Sequence, residues 1–248
     1  MGLMIGFIAP GHCQERPASA TDTAALTALP TWTPTGTLST PRHGHAATLL
    51  PNGKVLVFGG VGDAFSYLES AELYDIASGT WSFTGPGGPW EHQTALLLPN
   101  GKVLAVGYYD IQTGDGLYDP ATGTWSFDYY SSYPDAATLL LDGKVLIVEL
   151  NATFTSPLAK LYDPATDTSL SVATPTSIHQ GSTATLLQDG RVLVAGGWGI
   201  AEVYNPVSDS WEQVGPLVIG GDTATLLLNG KVLMVGGAVG AVAKLYDP

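Results

Sequence analysis

The sequence predicts an all-β chain, a five-bladed β-propeller with four antiparallel strands per blade. Three observations predict it. An apolar–turn–apolar unit recurs five times along the 248 residues. A tyrosine-centred segment follows every copy. A tryptophan lies seven residues beyond the first, second and fourth of those tyrosines, at Trp81, Trp125 and Trp211, with Ser169 in the third place.

The first two strands of each blade are the apolar runs. They read TLLPNGKVLVFGG at 48–60, ALLLPNGKVLAVGYY at 95–109, TLLLDGKVLIVEL at 138–150, TLLQDGRVLVAGG at 185–197 and TLLLNGKVLMVGG at 225–237. Asn-Gly or Asp-Gly between two apolar runs predicts a hairpin with a type I′ turn, since both residue types tolerate positive φ. The third strand is the segment around Tyr74, Tyr118, Tyr162, Tyr204 and Tyr246. A short turn such as DPATGTW leads to the fourth, which carries the tryptophan. Four strands per repeat is the signature of a propeller blade. The fifth copy stops at Pro248, after its third strand, and the segment Pro30-Thr31-Trp32-Thr33 is a fourth strand without a blade. The two ends are expected to interlock: residues 31–35 complete the last blade and remove the open edges. Residues 1–29 are set apart as a leader, and 30–248 form one propeller.

The hairpin with its double glycine, the Tyr-Asp step and the tryptophan resemble the kelch repeat family. Arg42, His45, Gly59-Gly60, Tyr74 and Trp81 carry the likeness in the first repeat, and it extends over about residues 30–248. The resemblance implies the propeller fold. It implies no single activity, because kelch propellers include enzymes, binding modules and scaffolds. A galactose-oxidase-like copper centre needs a Tyr–Cys crosslink, and the one cysteine, Cys13, lies in the leader.

Composition narrows the function. Charged residues are 12% of the chain against roughly 25% in ordinary domains. The net charge of −13 argues against nucleic acid and against an anionic membrane surface, both of which recruit clustered Lys and Arg. No apolar run reaches the roughly 18 residues of a membrane span. A single cysteine excludes an intrachain disulfide and a Cys-based zinc site. The apolar stretch Leu3–Pro10 resembles a clipped signal peptide, so a secreted or cell-envelope location is expected, with a cytoplasmic one as the alternative.

Alternating strand direction sends the first-to-second and third-to-fourth turns to one end and the remaining loops to the other, the top. The basic residues Lys54, Lys102, Lys144, Arg191 and Lys231 belong to the bottom turns. The tyrosines and tryptophans that the repeat does not require gather at the top. Expected ligand-binding residues are therefore Tyr108, Tyr109, Tyr129, Tyr130, Tyr133, Trp90 and Trp198, with His43, His45, His179 and Asp222. His45 also matches the repeat, which favours a structural hydrogen bond over chemistry there. Glu149 replaces the first glycine of the Gly-Gly pair in the third repeat, and Asp135 begins the neighbouring inner strand. Glu149, Asp135, His92 and Glu91 are the candidate acid–base groups, and two carboxylates in one pocket would drive one pKa upward. The expected function is an enzyme using acid–base chemistry on a neutral or cationic small organic substrate. The alternative is a non-catalytic glycan- or peptide-binding module. No motif specifies a cofactor or a metal-ligand set, although the top-side acids and histidines are of types that can hold a divalent cation.

Overall fold

The structure, a computed structural model, describes residues 32–63, 66–87, 91–109, 112–130, 132–179, 181–196, 200–216, 223–236 and 242–248. The chain divides into two units, Met1–Pro34 and Thr35–Pro248. In the first, the described residues 32–34 carry no strand, and Trp32 is 93% exposed.

The described residues of the second unit are all β, with nineteen strands in five antiparallel sheets. Sheet 1 holds β1 (Ala46–Leu49), β2 (Lys54–Phe58), β3 (Ser70–Asp75) and β4 (Thr80–Pro86). Sheet 2 holds β5 (Glu91–Leu97), β6 (Val103–Tyr109), β7 (Gln112–Asp119) and β8 (Thr124–Tyr130). Sheet 3 holds β9 (Tyr133–Leu139), β10 (Val145–Leu150), β11 (Pro157–Asp163) and β12 (Thr168–Ser171). Sheet 4 holds β13 (Ser182–Leu186), β14 (Val192–Gly196), β15 (Ile200–Asn205) and β16 (Ser210–Pro216). Sheet 5 has three strands, β17 (Thr223–Leu226), β18 (Val232–Gly236) and β19 (Val242–Tyr246). Its expected fourth strand, from residues 31–35, is not among the described strands. In every sheet, sequence neighbours are ladder neighbours.

The second strand of each sheet is the most apolar because both its faces are covered. Leu56 and Phe58 of sheet 1 pack with Val103, Ala105 and Tyr118 of sheet 2. Leu104 and Val106 meet Val145, Ile147 and Tyr162 of sheet 3. Leu146 and Val148 meet Val192, Val194 and Tyr204 of sheet 4. Leu193 and Ala195 meet Val232 and Met234 of sheet 5. The onward face of sheet 5 breaks this pattern. Val235 is 47% exposed, whereas its counterparts Phe58, Val106, Val148 and Ala195 are buried.

The hairpin turns differ from the expected type. Gly53 N–H donates to Leu50 O at 3.0 Å and Leu50 N–H to Lys54 O at 2.8 Å. Gly53 has φ of 79°, and Asn52 is not among the residues at positive φ. This is a three-residue loop, a type I turn closed by a glycine bulge, rather than a two-residue type I′ turn. Pro51 suits the first central position of such a turn. Asn52 is retained for its side chain: Oδ1 accepts the Lys54 N–H at 3.1 Å. The same bond recurs from Asn100, Asp142, Asp189 and Asn229.

Candidate functional site

The second residue of each third-strand motif is Glu72, Gly116, Lys160, Glu202 or Lys244. The three buried charged residues among them, Glu72, Lys160 and Glu202, are each clamped. Glu72 accepts from Arg42 at 3.0 Å and from the N–H groups of Ser39 and Thr40. The terminal nitrogens of Arg42 also donate to Gly59 O, Ser70 O and Ser70 Oγ. Glu202 repeats the scheme, accepting from Thr176 N–H, Thr176 Oγ1, Ser177 N–H and Ser177 Oγ, with His179 Nε2 at 2.7 Å. His179 therefore occupies the place of Arg42, buried against Glu202 rather than turned toward a ligand. Burial pushes Glu202 up, but the Thr176, His179 and Ser177 donors outweigh it and hold the carboxyl below its usual range.

Sheet 3 inverts the charges. Lys160 stands where sheets 1 and 4 have glutamate, and its Nζ lies 2.5 Å from Glu149 and 3.2 Å from Asp115 of sheet 2. All three side chains are nearly buried. The glutamate that replaces a repeat glycine thus balances a lysine that replaces a repeat glutamate. Asp135 faces the other way, to sheet 4. It accepts from Gly181 N–H at 2.7 Å, Ser182 N–H at 3.0 Å and Ser182 Oγ at 2.6 Å. Burial pushes its pKa up, and these three donors oppose the shift. Glu149 is engaged with Lys160 of its own sheet and Asp135 with Gly181 and Ser182 at the start of sheet 4, so the two carboxylates do not form the shared pocket expected of them.

The backbone sets Glu91 and His92 at the start of β5, Tyr108 and Tyr109 at the end of β6, and Tyr129 and Tyr130 at the end of β8. Glu91 pairs with Tyr108, and Tyr133 with Leu150. The ladder thus gathers these positions at one end of sheets 2 and 3, and their side chains, Tyr133 excepted, lie outside the described residues. Trp90, Trp198 and Asp222 lie outside them entirely. His43 exchanges both backbone hydrogen bonds with Val61, at 2.9 and 2.8 Å, and its side chain is exposed. His45 is half-buried. Its Nδ1 has no hydrogen-bond partner among the described residues, and burial followed by the Arg42 charge lowers its pKa.

A residue not picked out from the sequence completes this end. Phe154 sits in the loop between β10 and β11 at φ of 57°, a conformation that disfavours bulky side chains. Asn151 holds the loop there. Its Oδ1 accepts from Thr155 N–H at 2.8 Å and Ser156 N–H at 3.1 Å, and its carbonyl accepts Phe154 N–H at 2.9 Å. The ring is 43% exposed and lies 4.0 Å, centroid to centroid, from that of Tyr133. The available signal was compositional: one aromatic residue in the polar run Asn-Ala-Thr-Phe-Thr-Ser, where the repeat requires none.

Among the described residues, no group of three or more His, Cys, Asp or Glu could hold a metal ion. No helix of the described residues is long and apolar enough to cross a membrane. No protein-family model and no curated protein matches the chain.

Proposed function

We propose that the chain is a five-bladed, kelch-like propeller that binds a neutral or cationic glycan or small organic ligand at the end carrying Tyr133 and Phe154. The observation behind this reading is that aromatic pair. An exposed ring held at positive φ beside a second ring is costly to maintain and serves no core. Two adjoining aromatic faces suit stacking on a sugar or another flat ligand. The acid–base enzyme reading is weaker, because its two leading carboxylates are committed to Lys160 and to Gly181–Ser182.

The same proposal closes the ring with residues 31–35 as the fourth strand of sheet 5. Two features support this. Trp211 Nε1–H donates to Ala173 O at 2.7 Å, just beyond β12, the last strand of the preceding sheet. Trp81 Nε1–H donates to Gly36 O at 2.8 Å, so Gly36 meets sheet 1 as Ala173 meets sheet 4. Tyr246, for its part, aligns with tyrosines that each pair with a tryptophan in sheets 1, 2 and 4.

The binding reading is tested with the full chain on a panel of glycans and small organic cations, followed by thermal shift and calorimetry. Phe154→Ala is expected to weaken the ligand found by about 10-fold, roughly the 1–1.5 kcal/mol of a lost aromatic contact, without a loss of fold. Unchanged affinity in Phe154→Ala and Tyr133→Ala would refute the assignment of this end.

A further inference from the structure

Sheets 1, 2 and 5 carry the same ion pair at their hairpin-turn end. The lysine after the turn glycine reaches the aspartate that ends the third-strand motif, as Lys54–Asp75 at 3.3 Å, Lys102–Asp119 at 3.2 Å and Lys231–Asp247 at 2.7 Å. Sheet 4 changes both partners, to Arg191 and Asn205. Arg191 turns back to its own hairpin turn, where its Nε–H donates to Asp189 Oδ2 at 2.7 Å. Asn205 uses Oδ1 to accept the N–H groups of Val207 and Ser208. Among the described residues, the terminal nitrogens of Arg191 and the Nδ2 of Asn205 have no hydrogen-bond partner.

The adjoining junction changes as well. Between sheets 2 and 3, Asn100 Nδ2–H donates to Pro164 O at 3.1 Å. Between sheets 3 and 4 the counterparts are the Asp142 carboxylate and the Pro206 carbonyl, two acceptors that cannot bond each other. Leu141 stands where sheets 1 and 2 have Pro51 and Pro99, and Val207 where the turns of sheets 1, 2 and 3 have Ala77, Ala121 and Ala165. All these departures from the repeat line one cavity of about 280 Å³. Its wall is mostly apolar, from Leu140, Leu141, Pro206 and Val207. Its polar groups fall into two sets. Arg191 and Asn205, placed opposite each other by the β14–β15 register, offer donors. Asp142 and Pro206 O offer acceptors, and the Lys144 ammonium stands 3.7 Å from Asp142. A lone anion there would meet Asp142 and Asp189, and a lone cation would meet Arg191. A ligand carrying both charges satisfies both sets.

We propose that this cavity binds a free α-amino acid with an aliphatic side chain. The α-carboxylate takes the terminal nitrogens of Arg191 and the Nδ2 of Asn205, the planar fork that suits a carboxylate. The α-ammonium takes Asp142 and the Pro206 carbonyl. The side chain lies on Leu140, Leu141 and Val207, in the mostly apolar setting with a few convergent polar groups that small ligands use. Arg191 and Asp142 are partly exposed, so the ionic contacts set selectivity more than affinity. The turn that carries Leu141 and Asp142 lies at the opposite end of β9 from Tyr133, so the site is distinct from the Tyr133–Phe154 end.

The full chain is titrated by calorimetry with L-leucine, with 4-methylpentanoate, which lacks the ammonium, and with 3-methylbutylamine, which lacks the carboxylate. Saturable leucine binding, about 5-fold or more tighter than that of either analogue, is expected. Arg191→Lys combined with Asn205→Asp restores the ion pair of sheets 1, 2 and 5. That double variant is expected to keep its fold, read by circular dichroism and Tm, and to bind leucine about 10-fold or more weakly. Asp142→Asn restores the kind of donor that Asn100 supplies, here toward Pro206 O, and removes the ammonium's partner. It is expected to weaken leucine about 3- to 10-fold and to narrow the gap between leucine and 4-methylpentanoate. The proposal is overturned by no saturable leucine binding, by equal binding of leucine and either analogue, by full affinity in the folded double variant, or by unaltered affinity in Asp142→Asn.

Discussion

Glu149 occupies the place that Gly59 holds in sheet 1, and Lys160 the place of Glu72, so each substitution makes sense only with the other. Removing Glu149 takes the nearer of two carboxylates from the nearly buried Lys160 ammonium and leaves Asp115 at 3.2 Å to balance it. Glu149→Gln is therefore expected to lower stability by about 3 kcal/mol in chemical denaturation. The double change Glu149→Gln with Lys160→Met is expected to cost less than the sum of the two single changes. Additive costs would show that the pair is not a unit. Glu202 carries a pH consequence. A carboxyl depressed when folded contributes stability above its unfolded value, near 4.5, and loses it as pH falls through the lower folded value. The Tm of the native chain should drop on acidification below about pH 4.5, and that of Glu202→Gln should start lower and drop less steeply. The sequence marked Glu149 as anomalous but not what answered it, because Lys160 looked like one more repeat residue and Asp115 comes from another sheet. His179 was misread for a related reason. Only the three-dimensional equivalence with Arg42 shows that it clamps a buried glutamate.

Elements were more legible than sites. Alternating apolar runs around Asn-Gly and Asp-Gly place ten strands correctly, because a hairpin is a local object whose register its turn fixes. The turn type was not legible. Asn tolerates positive φ, so the dipeptide alone does not separate a type I′ turn from a type I turn with a glycine bulge. The backbone bonds do, and they predict unequal sensitivities. Gly53 has open space around a would-be Cβ, so Gly53→Ala is expected to cost about 1–2 kcal/mol from backbone conformation alone. Asn52→Ala loses one exposed hydrogen bond and is expected to cost about 0.5–1 kcal/mol. Gly60→Ala should be the most damaging of the three, because its Cβ would lie 2.5 Å from His43 O. Urea denaturation of the three variants gives the ranking, and a cost for Asn52→Ala equal to that of Gly53→Ala would favour the type I′ geometry.

At the scale of the whole molecule, cores between sheets 1 and 2, 2 and 3, 3 and 4, and 4 and 5 form a continuous series. The repeat count and the sheet order were readable because every sheet repeats the same apolar positions. The fourth strand of sheet 5 was inferred from a single Thr-Trp-Thr match far from that sheet in sequence, and such long-range pairing leaves no local pattern to read. The central claim is that this series closes into a five-bladed ring through residues 31–35. By the register of Tyr74 with Trp81 and Leu73 with Ser82, Thr33 should lie opposite Leu245. The most direct measurement replaces Cys13 with Ser, introduces Thr33→Cys and Leu245→Cys in the full chain, oxidises it, and compares reduced and non-reduced electrophoresis. The account predicts a disulfide within one monomer, formed in high yield and accompanied by a rise in Tm. A free dithiol, or a disulfide-linked dimer, would contradict it.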